Sequence, residues 1–156
     1  RRIAYIGANP DLKIQADRLS TYQQSLARHG LALDPSLVVE GDLTSEGGYR
    51  AALALLALPQ PPSAIACVDD MTAFGVLHAA NQSGRIVGQD LGVVGFDGIA
   101  GFEHTQPPLT TINQPVYQIA RRLVQMLAAQ ITGKPPEAPG FTIDPVLEIR
   151  QSTTGY

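Results

Sequence analysis

The residues with the widest chemical reach in this chain are a few acids and one arginine: Asp69-Asp70, Asp97 and Arg18. A guanidinium offers paired donors in a fixed fork, and ionised carboxylates accept from hydroxyls. With Asp97 and Asp69 as acceptors and Arg18 as donor, the set suits a neutral polyhydroxy ligand. Each member also has a plainer reading. Asp70 stands where a helix N-cap belongs, Asp69 and Asp97 can satisfy backbone amides at strand ends, and Arg18 can be a solvated helix residue. Three carboxylates invite a Mg²⁺ reading, but such sites lean on substrate phosphates or more acids, and no phosphate loop accompanies these. Cys67 lies inside an apolar strand with no His in its local signature, which argues against a nucleophile. Gly92-Val-Val-Gly95-Phe-Asp-Gly98 runs within and past a strand, whereas a dinucleotide fingerprint enters a helix. His29, His78 and His104 have no zinc-ligand spacing. No catalytic residue, metal or cofactor is expected.

Composition narrows the class further. The chain has 156 residues, 44% of them hydrophobic and 16% charged, so disorder is excluded as its general state. A net charge of −3 with scattered basic residues argues against a phosphate-neutralising face in this portion. No apolar run reaches the length of a membrane span. The lone cysteine, Cys67, allows no internal disulfide and suits a reducing compartment. The chain begins Arg1-Arg2 and turns at once into a buried strand, which suggests a piece of a longer protein.

These residues need a scaffold, and the hydrophobic pattern supplies one. Short apolar runs alternate with helical periods, the signature of βα units and a parallel sheet. Strands are predicted at 3–6, 37–39, 64–68 and 91–96. Helices are predicted over 15–29, from Thr44 or Ser45 to about Ala57, over 71–83 and over 116–131, with Gly30, Gly84 and Gly133 as stops. The last helix carries the cleanest apolar stripe, and a further strand, interrupted by Pro145, is predicted at 141–149. Ligands of open α/β sheets bind at the carboxyl ends of the strands, which here carry Gly7-Ala8-Asn9, Gly41-Asp42-Leu43, Asp69-Asp70 and Asp97-Gly98.

Several strings occur in the order found in LacI/GalR-type transcription regulators. They are Arg2-Ile-Ala-Tyr-Ile-Gly, Asp17-Arg18, Gly41-Asp42-Leu-Thr, Asp69-Asp70-Met-Thr-Ala-Phe-Gly75, Asp90-Leu-Gly-Val-Val-Gly-Phe-Asp97, Pro107-Pro-Leu-Thr-Thr-Ile-Asn-Gln-Pro115 and Arg150-Gln-Ser-Thr153. The chain resembles that family from about Arg2 to Thr154. The resemblance implies a doubly wound, periplasmic-binding-protein-like effector domain of two lobes, with a helix-turn-helix DNA-binding domain outside this chain. Residues 1–110 would form the C-terminal lobe, 111–115 a hinge crossing, 116–146 a helix and strand of the N-terminal lobe, and 147–156 a return strand and tail.

By position, the resemblance makes Arg18, Asp97, Asp69 and Leu43 effector-binding residues. Leu43 stands where relatives often place an aromatic ring, Asp69 where Asn is usual, Thr72 where Met is usual, and Gly98 where Asp or Asn is common. The helix after Asp70 resembles the family's dimer-forming helix, with Phe74, Leu77, His78 and Met71 at the interface and Gly101 to His104 nearby. The implied partners are a sugar or related metabolite, a second copy of the chain, and DNA through the absent domain. The implied setting is the cytoplasm, with no membrane partner. Two other roles remain open on the residues: a solute-binding protein of a sugar transporter, and an α/β hydrolase or transferase. Without the rest of its lobe, the stripe of the 116–131 helix is expected to pack on another chain or a nonnative surface.

Overall fold

The computed structural model describes residues 2–9, 11–134 and 140–155. β1 (Ile3–Gly7), β2 (Val38–Glu40), β3 (Ala64–Cys67) and β4 (Gly92–Val94) form a parallel sheet in the order β2-β1-β3-β4. Ile3 pairs with Ala64 and Tyr5 with Val38, which puts β1 at the centre. Burial along β1 agrees, since Ala4, Tyr5 and Ile6 are all buried.

Alternation along β1 sends its side chains to two layers. Tyr5 stacks on Tyr22 of α1 (Lys13–Arg28), with ring centroids 5.1 Å apart. Ala4 and Ile6 join the main core with Leu55 of α2 (Ser45–Leu56) and with Ala73, Val76 and Leu77 of α3 (Asp70–Gln82). Helices on both faces cover the sheet, as parallel strands require. α2 and α3 meet along a seam of glycines. A Cβ on Gly48 would stand 2.2 Å from the Thr72 carbonyl oxygen, and one on Gly75 would stand 2.0 Å from that of Ser45. Only glycine lets the two backbones come this close.

Regular pairing stops at Val94, shorter than the 91–96 run suggests, because its partner β3 ends at Cys67 and the chain turns into α3 at Asp69; beyond it the backbone of Asp97 has a positive φ of 118°. The sheet direction continues through single parallel bridges, Val94 to Thr110 and Asp97 to Asn113, which bring β5 (Thr111–Asn113) alongside. β5 pairs antiparallel with β6 (Val146–Glu148). Of the strand expected over 141–149, only β6 is regular. Pro145 supplies no ladder donor, and β5 offers only Thr111–Asn113 as a partner. Past β6 the chain folds back on the sheet: the buried Ser152 hydroxyl donates to the Val93 carbonyl (2.6 Å) and accepts from the Thr110 amide (2.8 Å).

α4 (Val116–Ile131) has the boundaries its pattern predicts, yet no residue of it is buried. Leu123 and Leu127 are more than half exposed and Ile131 is 77% exposed. Of the two expected covers, a surface of this chain is not found among the described residues.

Candidate functional site

Arg18 enters the site from the second turn of α1, whose N-terminus faces the carboxyl ends of the strands. One of its nitrogens donates to the Val68 carbonyl, where β3 ends. The guanidinium lies 4.0 Å from the Phe96 ring centroid, a cation–π contact that flattens it against the rim. Its other terminal nitrogen stands 4.0 Å from Asp97 Oδ1, attracted but too far for a direct hydrogen bond. That nitrogen keeps donor capacity for a ligand oxygen.

Asp97 is held from several sides. Its amide donates to the Ile112 carbonyl (3.0 Å), its carbonyl accepts from the Gln114 amide (3.1 Å), and its Oδ1 accepts from Gln114 Nε2 (2.5 Å). A non-glycine residue in this backbone region costs on the order of 1–3 kcal/mol and persists only where its surroundings over-determine it. Burial pushes the Asp97 carboxyl above the ordinary carboxylate range. The Gln114 hydrogen bond and the Arg18 charge pull it back, while Asp69 and Asp70 push it further up. The chain therefore keeps an acceptor at the rim that a ligand hydroxyl could stabilise.

The tandem acids have exchanged the roles the local pattern assigns them. Asp69, not Asp70, is the N-cap of α3, its Oδ1 accepting from the Thr72 amide at 2.7 Å. Asp70 is the first residue of the helix and is fully buried. Leu43 lies in the turn between β2 and α2 with a φ of 62° and 39% exposure. The structure thus brings Arg18 and Asp97 together. Asp69 and Leu43 share the strand-end rim without a hydrogen bond or ion pair to either.

Beside Arg18 runs a groove of about 490 Å³ between α1 and the β3–β4 half of the sheet. Its wall includes Ile14, Val68, Val94, Phe96 and Ile112, and it is mainly apolar. The Tyr5 hydroxyl, buried at its edge, has no hydrogen-bond partner. Burial raises the thiol of Cys67 well above its ordinary value, so the thiolate a nucleophile needs is disfavoured. Among the described residues no three His, Cys, Asp or Glu side chains group as metal ligands.

A second surface lies on α3. Met71, Phe74 and His78 are exposed along one face, and Phe74 meets the Phe102 ring edge-on at 5.6 Å. Leu77, grouped with them by sequence, is 7% exposed and belongs to the core. Its position, one residue before His78, turns it about 100° around the helix toward the sheet. Sequence reasoning also missed Phe96 and Gln114. Gln114 lies within the Ile-Asn-Gln-Pro string, but nothing local says that it reaches back to Asp97.

A family model for a periplasmic binding protein-like domain matches residues 1–153. The HTH-type transcriptional repressor CytR of Escherichia coli (strain K12) is 39% identical over 153 residues, 98% of this chain and 45% of that protein. A regulatory protein of the LacI family from Chloroflexus aggregans superposes with a TM-score of 0.90 at 32% identity, over 98% of this chain and 55% of that one. A solved complex of the transcriptional regulator CelR with cellobiose gives a TM-score of 0.87 at 33% identity, over 97% and 46%. The chain spans about half the length of the curated relatives it matches.

Proposed function

The chain belongs to the periplasmic-binding-protein-like domain family, and from that premise we propose that it is the small-molecule-sensing part of a bacterial LacI-type transcription regulator. One observation carries this reading. Asp97 belongs to the donor–acceptor pair at the rim and is also bonded to Ile112 and Gln114, on and just after the crossing strand β5. A ligand that changes the position or charge of Asp97 therefore acts directly on the connection between lobes. A shift in closure angle between two states of different ligand affinity is what a switch of this type needs.

In this reading residues 1–110 are the C-terminal lobe, β5 and β6 are crossings, α4 and the segment up to 146 serve the N-terminal lobe, and 147–156 return to the first. The apolar stripe of α4 would then be covered by the rest of that lobe. The effector is a sugar or related metabolite, held by Arg18 and Asp97 with Asp69 and Leu43 beside them. The likeness to CelR, solved with cellobiose, supports a sugar; Leu43 offers no ring to stack on a sugar face, so the polar pair Arg18 and Asp97 carries the recognition in this reading. The exposed Met71, Phe74 and His78 face of α3 serves a homodimer, and DNA is bound by a helix-turn-helix domain outside these residues. The site works by binding, not turnover. Similarity to repressors favours regulation over transport, and a regulator of this type works in the cytoplasm.

The test is calorimetric titration of the parent protein with mono- and disaccharides and ribonucleosides. A compound of one of these classes should bind saturably, and Arg18→Ala and Asp97→Asn should each abolish binding while leaving the circular dichroism spectrum intact. Binding that survives both changes would remove this site from the reading.

A further inference from the structure

Asp70 is the most deeply buried acid among the described residues, at 0% exposure, and the effector reading gives it no task. Its two carboxylate oxygens reach two separate elements. Oδ2 accepts from the Ile99 amide at 2.8 Å, in the turn after Asp97, and Oδ1 accepts from the Thr111 hydroxyl at 2.6 Å, on β5. A third element is shaped around it, since a Cβ on Gly95 would stand 2.2 Å from Asp70 Oδ1. Gly95 is thus the place where the extension of β4 passes directly over this carboxylate. Its own backbone is the first turn of α3, a helix locked to α2 by the glycine seam.

We propose that Asp70 is the positioning residue of the rim: its carboxylate spans α3, β5 and the 95–99 turn, and so holds Asp97 in its left-handed backbone conformation. The contacts on Asp97 itself come from Ile112 and Gln114, on one side of the turn. On the other side, two residues on, the Ile99 amide donates to Asp70. Without it the segment past Asp97 loses its anchor to α3, and the bonds of Asp97 to Ile112 and Gln114 are left to hold the strained φ by themselves. An ordinary helix-first-turn acid interacts with its own helix; this one spends both oxygens on other elements. It also joins the Met71, Phe74 and His78 face of α3 to the rim through a single side chain, which gives a route from a partner's surface to the acceptor at the proposed effector site.

This inference rests on the effector reading for its meaning but not for its test. In ¹⁵N-labelled chain, the three-bond coupling between the amide and α protons of Asp97 should be small, as a φ of 118° requires, and the Ile99 amide should be protected from exchange. Asp70→Ala should raise that coupling toward the value of extended backbone and speed Ile99 exchange by at least about tenfold, while Ile6 and Cys67 keep their native shifts and protection. Thr111→Val, which removes one anchor and preserves shape, should shift both signals in the same direction by less. Asp70→Asn retains an acceptor for Ile99 and a donor for the Thr111 oxygen, and should restore the native coupling. If Asp70→Ala is unfolded, Thr111→Val and Asp70→Asn decide the matter. An Asp97 coupling unmoved by Thr111→Val and by any folded Asp70→Ala, or an Asp70→Asn chain that has lost the native coupling, overturns the proposal. None of these signals needs a ligand, so a failed effector titration leaves them unchanged, and their failure leaves the Arg18→Ala binding test standing.

Discussion

α3 and α4 are both apolar enough to bury a face, and they end in opposite situations. α3 contributes Thr72, Ala73, Gly75, Val76, Leu77, Ala79 and Ala80 to the interior, whereas α4 contributes nothing. Amphipathic pattern alone does not separate them, since α4 has the cleaner stripe. The difference lies in what surrounds each helix. α3 has small residues, Gly75 above all, that admit a neighbouring backbone, and it follows a strand of the sheet it covers. α4 follows β5, which touches that sheet only through single bridges and pairs with β6 instead. The pattern of a helix states that it will be covered; its connections state by what.

The contrast can be tested by substitution. Leu77→Ala, in α3, should lower unfolding free energy by about 2–5 kcal/mol, while the matching Leu123→Ala in α4 should stay within about 0.5 kcal/mol in the isolated chain, both read from urea midpoints. An equal loss at the two positions would mean that α4 is covered in solution. Next in size, Gly75→Ala should cost about 1–3 kcal/mol through overpacking at the α2–α3 seam, where the same change at an open helix position is mildly stabilising. Asp69→Ala should cost about 1 kcal/mol by removing the cap of α3. α4, whose N-cap Pro115 provides no side-chain bond, has no counterpart to lose.

The smallest effect concerns charge at the rim. Folding raises the Asp97 pKa, so the native state holds that proton to higher pH than the unfolded chain does. Stability from this group is present below the ordinary carboxylate value and is lost as pH rises through the raised one. Asp97→Asn should flatten that part of the pH–stability curve and leave the chain slightly more stable at neutral pH, because Asn also tolerates a positive φ better. A steeper slope in the variant would contradict the stated cause.

Local chemistry made much of this legible. α4 runs from Val116 to Ile131 as its periodicity predicts, and Gly30, Gly84 and Gly133 all stop helices with φ near 68–69°. The strand-end acids and Arg18 fall on one rim because parallel βα units place them there. What failed depended on distant partners. Asp69 and Asp70 are equivalent to any capping rule, and the choice between them is made by Ile99 and Thr111, 29 and 41 residues further on. Leu77 sits in a run of apolar and small residues in which the exposed face is set only by where the sheet lies. Gln114 becomes a site residue because β5 returns beside the extension of β4, and Phe96 because Arg18 reaches across from α1 to its ring.

The pairing of β5 with β6 has a mechanical meaning. Two antiparallel strands joined by a hydrogen-bonded ladder make a ribbon that twists easily and resists sliding of one strand along the other. Here the ribbon is fastened to the sheet along β5: Ser152 ties the returning chain to Val93 and Thr110, and Asp97 bonds to Ile112 and Gln114. A turn of the 95–97 segment would therefore carry the ribbon with it, with little sliding of one strand along the other. In the reading proposed above, a small rotation at Asp97 would pass through Gln114 to α4, which begins two residues on, and the length of α4 would set the arc that its far end describes.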